Sequence, residues 1–232
     1  MPTVRSSATF VGFAREAPRF FYELAAEMSR DWFAAHKAEY EALWMRPMEA
    51  LLARAAAGLK QSYRGVALGE PKVFRIHRDV RFSADKAPYK THIAGIIPVA
   101  RASKVTEGAA ALYLHLGLEE YSGAGHYVFA GEQLARWRRL VAADATGRAI
   151  AKLCNAARAA GMSLGAHEVL ARAPRGIDAD HPRVELLRHK GLVVGFPAIP
   201  RGLIHKPALA DWLVEQGRAA APVVTWLARN LA

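Results

Sequence analysis

The sequence is short of the features that most directly assign a chain to a class. Among its 232 residues there is one cysteine, Cys154, which excludes an internal disulfide and most cysteine metal sites and fits a reducing, cytoplasmic setting. No apolar run approaches the roughly 18 residues of a membrane-spanning helix, and the opening M-P-T-V-R-S-S lacks the apolar segment of a secretory leader. No membrane partner is therefore expected. The sequence also contains no G-x-x-x-x-G-K-[ST], G-x-S-x-G or H-E-x-x-H, the signatures of a phosphate loop, a nucleophile elbow and a zinc helix. His77-Arg78-Asp79 matches a kinase triplet, but no Asn stands five residues after Asp79 and no D-F-G follows, which points away from kinase chemistry. Gly123-x-Gly125 lacks the third glycine and following helix of a dinucleotide loop and reads as a turn element. The nine histidines are scattered without ligand spacing. No metal site is assigned, although Asp79, Asp85 and a distant His are residue types that bind metals, and no cofactor is named.

Acidic residues are the other scarcity. With 21 Asp and Glu against 32 Lys and Arg, the net charge is +11, which favours anionic partners such as phosphorylated metabolites or nucleic acid. Part of that excess, at Arg136, Arg138, Arg139, Arg148, Lys152 and Arg158, is dispersed along helical segments and reads as solvated surface. Hydrophobic residues make up 52% of the chain, enough for one core. The expectation is a single domain over residues 9–232, with residues 1–8 a flexible N-terminus.

The densest chemistry lies between Lys72 and His92, where six Lys or Arg and two Asp are interleaved with Val, Phe, Ile and Tyr. Alternation predicts an extended segment from Val73 to Phe82, with Phe74, Ile76, Val80 and Phe82 on one face and Arg75, His77, Asp79 and Arg81 on the other. Arg78 breaks the pattern by falling on the apolar face, where a guanidinium needs a carboxylate or an anionic ligand. Ser83 to Pro88 reads as a turn, because Ser and Asp bond nearby amides and Pro88 biases Ala87 away from helix. Tyr89, Lys90 and His92 follow.

R-I-H-R-D-V-R-F-S-A-D-K-A-P-Y-K-T-H resembles the signature block of the bacterial family called domain of unknown function 2461. D-W-F-A-A-H-K-A-E-Y-E and G-I-D-A-D-H-P-R-V-E-L-L-R-H-K agree with it, so the resemblance runs roughly from Thr9 to Phe196. It implies a shared fold and a site at the central block, and it carries no reaction.

Around that block the chain alternates between helical and extended periodicity. Pro18 opens a helix with Phe20, Phe21, Leu24 and Met28 at core spacing. Ser29 caps a second helix, with Asp31 in its first turn, on which Trp32, His36, Tyr40 and Trp44 form one stripe. Pro47 starts a third, with Met48, Leu51, Leu52, Ala55 and Leu59 inward. Ile93–Ala100 reads as a strand and Arg101–Gly108 as a polar loop. Leu112, Leu114, Leu116 and Leu118 then alternate with Tyr113 and His115, and a turn returns the chain through Gly123–Phe129 as a hairpin. Tyr113 and His115 are expected to join Arg75, His77 and Asp79 on one polar face. Helices follow over 132–143 and 146–160, a short one after Pro182, a strand over 192–196, and two closing helices from Pro207 and Ala219. Strands in the middle and helices at both ends predict an α+β fold, with an antiparallel or mixed sheet flanked by N- and C-terminal helices.

Three function classes stay open. In the first, Arg75, Arg78, Arg81, Lys86 and Lys90, with His36 from the second helix, receive a small phosphate- or carboxylate-bearing ligand, while Asp79, Asp85 and Tyr89 are the candidate catalytic residues. In the second, the same cations track nucleic-acid phosphates and Tyr89 or Trp32 stacks on bases. In the third, internal ion pairs such as Arg78 with Asp79 or Asp85 merely organise the turn. Two Asp leave an excess of cations, so that third class draws on acids such as Glu23, Glu27 or Glu39.

Overall fold

The computed structural model describes residues 9–100 and 109–231; the expected N-terminal segment 1–8 and the polar loop 101–108 lie outside them. Helix α1 (Ala17–Glu27) buries Phe20, Phe21 and Leu24 and ends at Met28, whose φ is 42°. Helix α2 (Arg30–Tyr40) begins at Ser29, whose Oγ accepts from the Trp32 amide at 3.1 Å. The aromatic stripe is a packing device. Trp44 is buried 4.7 Å from Phe21 between ring centres and donates from Nε1 to the Ala17 carbonyl at 3.0 Å, which fixes α1 against the next helix.

Pro47 stands at the start of the third helix, as its position suggested, but no loop separates that helix from α2. A π-helical turn (Glu41–Met45) joins α2 directly to α3 (Arg46–Leu59), with the Arg46 amide donating to the Glu41 carbonyl, and this widened turn accommodates the missing N–H of Pro47. The widened turn keeps the rod continuous and carries Met48, Leu51, Leu52, Ala55 and Leu59 into the core.

Seven antiparallel strands form one sheet: β1 (Ala67–Leu68), β2 (Lys72–Val73), β3 (His92–Ala100), β4 (Ala110–Gly117), β5 (Tyr121–His126), β6 (Ser163–Gly165) and β7 (Leu192–Gly195). Their order is β1-β3-β4-β5-β7-β6, with β2 also pairing β3. Strand β4 follows the predicted alternation as far as Leu116, whereas Leu118, expected on the same face, lies past the strand end and is exposed. Leu112, Leu114 and Leu116 stand opposite Ile97, Gly95 and Ile93 and are buried, each worth about 1.5–3 kcal/mol relative to exposure. Tyr113 and His115 alternate onto the opposite, half-buried face.

Between β5 and the C-terminus lie α4 (Gly131–Ala142), α5 (Asp144–Ala159) and the short α6 (Val184–Leu187). The chain closes with one helix, α7 (Ala208–Leu231), where the sequence suggested two. Gly217 lies inside it because α7 packs close to the sheet: a Cβ there would come within 2.7 Å of Leu112 Cδ2 and 3.0 Å of Leu59 Cδ2. Burial of eleven α7 residues, Leu213, Val224 and Leu227 among them, outweighs a glycine penalty of about 1 kcal/mol. One contiguous apolar core therefore unites α1, α3, the inner sheet face and α7, and the fold is α+β with the sheet flanked by N- and C-terminal helices.

The extended reading of 73–82 needs correction. Lys72 and Val73 pair with β3, and the Phe74 amide still donates to the Ala94 carbonyl at 2.8 Å; beyond Phe74 the chain leaves the sheet and pairs with its own returning arm. The Arg78 amide donates to the Pro88 carbonyl at 2.9 Å, the Lys90 amide to Ile76 at 2.9 Å, and His77 faces Tyr89 across an isolated bridge. Because local partners satisfy this backbone, the alternating face is not pressed onto the core. Ile76 is buried, but Phe74 is 38% exposed and Phe82 94%.

Candidate anion-binding site

The ribbon over residues 74–91 is anchored at its base and cationic at its tip. Ile76 and Tyr89 are buried, and Tyr89 packs at 4.6 Å on Phe33 of α2, with His77 at 5.9 Å from the same ring. Helix α2 thus positions the ribbon. At the tip, Asp79 takes a forked contact from Arg81, Nε to Oδ1 at 2.9 Å and Nη2 to Oδ2 at 2.7 Å. Asp85 pairs with Arg78 and accepts from the Ala87 amide at 2.9 Å, an Asx-type turn made just before Pro88. Lys86 Nζ donates to the Val80 carbonyl at 3.0 Å. Lys90 Nζ donates to the Arg75 carbonyl at 3.2 Å and lies over the Phe74 ring.

These contacts set the protonation states. The Arg81 guanidinium holds the Asp79 carboxyl below its ordinary range, and the Ala87 amide followed by Arg78 does the same for Asp85. Both are ionised at neutral pH, which suits them to orienting guanidinium groups; a general base works best with a pKa near the operating pH. Burial, and then the Arg75 charge, lower the Lys90 pKa.

A cavity of about 360 Å³ opens between the ribbon and the start of α2, lined by Arg30, His77, Arg78, Val80, Pro88 and Tyr89. Of the candidate ligand-binding and catalytic residues named in the sequence, Arg78 and Tyr89 line it. Asp85 stands behind Arg78 as its ion-pair partner. Arg81 and Asp79 are engaged with each other and Lys86 with the Val80 carbonyl at the tip, and Lys90 reaches the Arg75 carbonyl beside Phe74. His36 is elsewhere: its ring stacks on Trp32 at 3.9 Å, and its Nδ1 lies 2.8 Å from the Trp32 carbonyl. Arg30 was not among the residues singled out in the sequence. The available signal was a cation at the first position of a helix, where the macrodipole opposes positive charge.

Tyr113 and His115 do not gather with Arg75, His77 and Asp79. On the outer sheet face the Tyr113 hydroxyl lies 3.0 Å from His115 Nδ1, and His115 stacks on His92 at 4.5 Å. Burial, the His115 charge and Lys90 push His92 down to about 4, and burial also lowers His115. Among the described residues no cluster of three or more His, Cys, Asp or Glu is placed to hold a metal, and no helix is long and apolar enough to cross a membrane.

An antiparallel sheet backed by helices, with a cationic ribbon braced on α2, defines this as an α+β protein whose distinguishing element is that ribbon. The sequence model of the family described as "Conserved hypothetical protein (DUF2461)" matches residues 16–226. The chain belongs to this family, and the match includes the whole ribbon, both of its arms and α2. No curated protein and no solved structure matches the chain.

Proposed function

We propose that the protein binds a small phosphate- or carboxylate-bearing ligand in the cavity between the ribbon and α2. The observation that carries this reading is the convergence of Arg30 and Arg78, from distant parts of the chain, on one cavity with Tyr89 and His77. The volume lies at the small end of the range of about 300–1,000 Å³ usual for metabolite sites. Arg78 has Asp85 as a counter-charge, whereas Arg30 has no carboxylate within ion-pair distance among the described residues. A bidentate anion would complete the set, and Tyr89 and His77 supply aromatic walls with polar edges. The lone Cys154, buried with its thiol pushed up to about 11 by that burial, supports a cytoplasmic setting.

A second reading, a nucleic-acid surface, draws on Phe82. This ring stands 94% exposed with the Arg81 guanidinium 5.7 Å from its centre, a pairing suited to stacking on a base. A thermal-shift and titration series with phosphorylated metabolites, carboxylates and single-stranded DNA separates the two. The small-ligand reading expects a raised melting temperature with a metabolite, loss of that shift in Arg30→Gln and Arg78→Ala, and shallow salt dependence. Steep salt-dependent DNA binding that is weakened in Phe82→Ala, with no metabolite shift, would reverse the order. If neither probe binds and Arg78→Ala unfolds the chain while Arg30→Gln changes nothing, the ion pairs serve only to hold the turn.

A further inference from the structure

The larger cavity lies away from the ribbon, where the segment after α3 meets the last turns of α7. It encloses about 610 Å³, and its wall carries Arg64, Arg218 and Arg229, with Ser62, Thr225 and Trp226 between them. Among the described residues, no Asp or Glu lines it, and none of the three guanidinium groups is in an ion pair. Among the described residues seven other arginines pair with a carboxylate, Arg19–Glu23, Arg54–Asp211 and Arg158–Glu185 among them. Three guanidinium groups around one concavity repel one another, and an anion bound between them relieves that repulsion.

One of the three is held in place. Arg229 Nη2 donates to the Arg64 carbonyl at 2.8 Å, and the guanidinium lies over Gly65, whose φ is 83° and where a Cβ would collide with it. Only glycine combines that backbone angle with room for the side chain. One of the five N–H donors of Arg229 is used in this contact, so the group is oriented before any ligand arrives. Trp226, half-buried and edge-on to Trp137 at 6.1 Å, adds a rigid aromatic wall. Pro222, inside α7, lines the same cavity, although an interior helical proline costs about 3 kcal/mol.

We propose that this cavity is a second ligand site, taking a phosphorylated molecule of nucleotide size, with Arg64, Arg218 and Arg229 on the phosphates and Trp226 against the planar group. The volume suits a nucleotide, and guanidinium forks recognise phosphate bidentately. Charged side chains supply this recognition, in keeping with the absence of a glycine-rich phosphate loop from the sequence.

The test is calorimetric titration of the full-length protein at low salt with ATP, AMP, inorganic tripolyphosphate and single-stranded DNA. ATP is expected to bind, and the double variant Arg64→Gln/Arg218→Gln to weaken it at least tenfold with the melting temperature retained, since both side chains are exposed. Arg218→Lys keeps the charge but loses the fork and should fall between the two. Arg136→Gln, exposed and lining neither cavity, should leave the affinity unchanged; loss of ATP binding in Arg30→Gln with the double variant unaffected would put the ligand in the ribbon cavity and overturn the second site. Unchanged ATP binding in the double variant, or no binding of any phosphate by the wild type, overturns the site. Tripolyphosphate binding as tightly as ATP overturns the role of Trp226. Tighter, steeply salt-dependent binding of DNA through the same arginines overturns the nucleotide assignment.

Discussion

Acidification should destabilise this protein through His126. The side chain lies on the inner face of β5, 2% exposed, with Phe129 at 5.5 Å and Nδ1 without a hydrogen-bond partner. Burial pushes its pKa down to about 4 from an ordinary 6.5. The folded state therefore takes up this proton later than the unfolded state as pH falls. Above the unfolded pKa both states are neutral and the stability is fully present; it is lost as pH falls from about 6.5 towards 4. A tenfold difference in proton affinity between the folded and unfolded states corresponds to about 1.4 kcal/mol, so the loss between about pH 7.5 and 4.5 is about 2.5 kcal/mol from this residue. His92 and His189 also have lowered pKa values and add to the slope. His126 is isolated by substitution. Urea unfolding of wild type and His126→Leu at the two pH values should give a wild-type loss larger than the variant's by about 2.5 kcal/mol. Carboxylates of Asp79, Asp85 and Asp144, already held low by their partners, titrate mostly below that window and cancel in the comparison. Equal pH slopes in the two proteins would refute the reasoning, because a buried neutral imidazole cannot be replaced by an apolar group without flattening the profile.

Two further outcomes test the frame around the site. Ser29→Ala removes the acceptor of the Trp32 amide at the start of α2 and should cost about 1 kcal/mol in chemical denaturation; an unchanged midpoint would show that water caps the helix equally well. Leu114→Ala, on the inner sheet face and 1% exposed, should cost about 2–5 kcal/mol, whereas a loss well under 1 kcal/mol would mean that the layer above β4 is not close-packed.

The legible parts of the fold were those governed by local spacing. The Ser29 cap, the Phe20–Phe21–Leu24 face and the Leu112–Leu114–Leu116 alternation each depend on neighbours within a turn or a strand, and each stands where its period put it. The ribbon misled because a segment that pairs with its own return shows the same alternation as one that pairs with a sheet; Val73–Phe82 could not reveal that Pro88 and Ile76 carbonyls would supply its partners. Strand β6 went unread because Ser163–Gly165 is three residues long and gains its place only from Val194 and its neighbours on β7. The second closing helix read from Ala219 is a continuation of α7, because the contact that places Gly217 inside one helix is with Leu112 and Leu59, far away in the chain. The site divides in the same way. Arg78 announced itself by breaking an apolar face, and Tyr89 came with it, but Arg30 joins them only through the packing of Phe33 against Tyr89.

The unbroken rod formed by α2, the π turn and α3 has an electrical consequence. Its 11, 5 and 14 residues amount to about 45 Å of helix, with Arg30 at its first position and Gln61, Ser62 and Arg64 just past its end. The two cavities therefore face opposite poles of one dipole. The leading pole carries about half a positive charge and would assist the anion proposed for Arg30 and Arg78; the trailing pole carries the same amount of negative charge and would oppose one. An anion at the trailing end needs more fixed cationic charge to bind equally well, and the chain places three guanidinium groups there against two at the other.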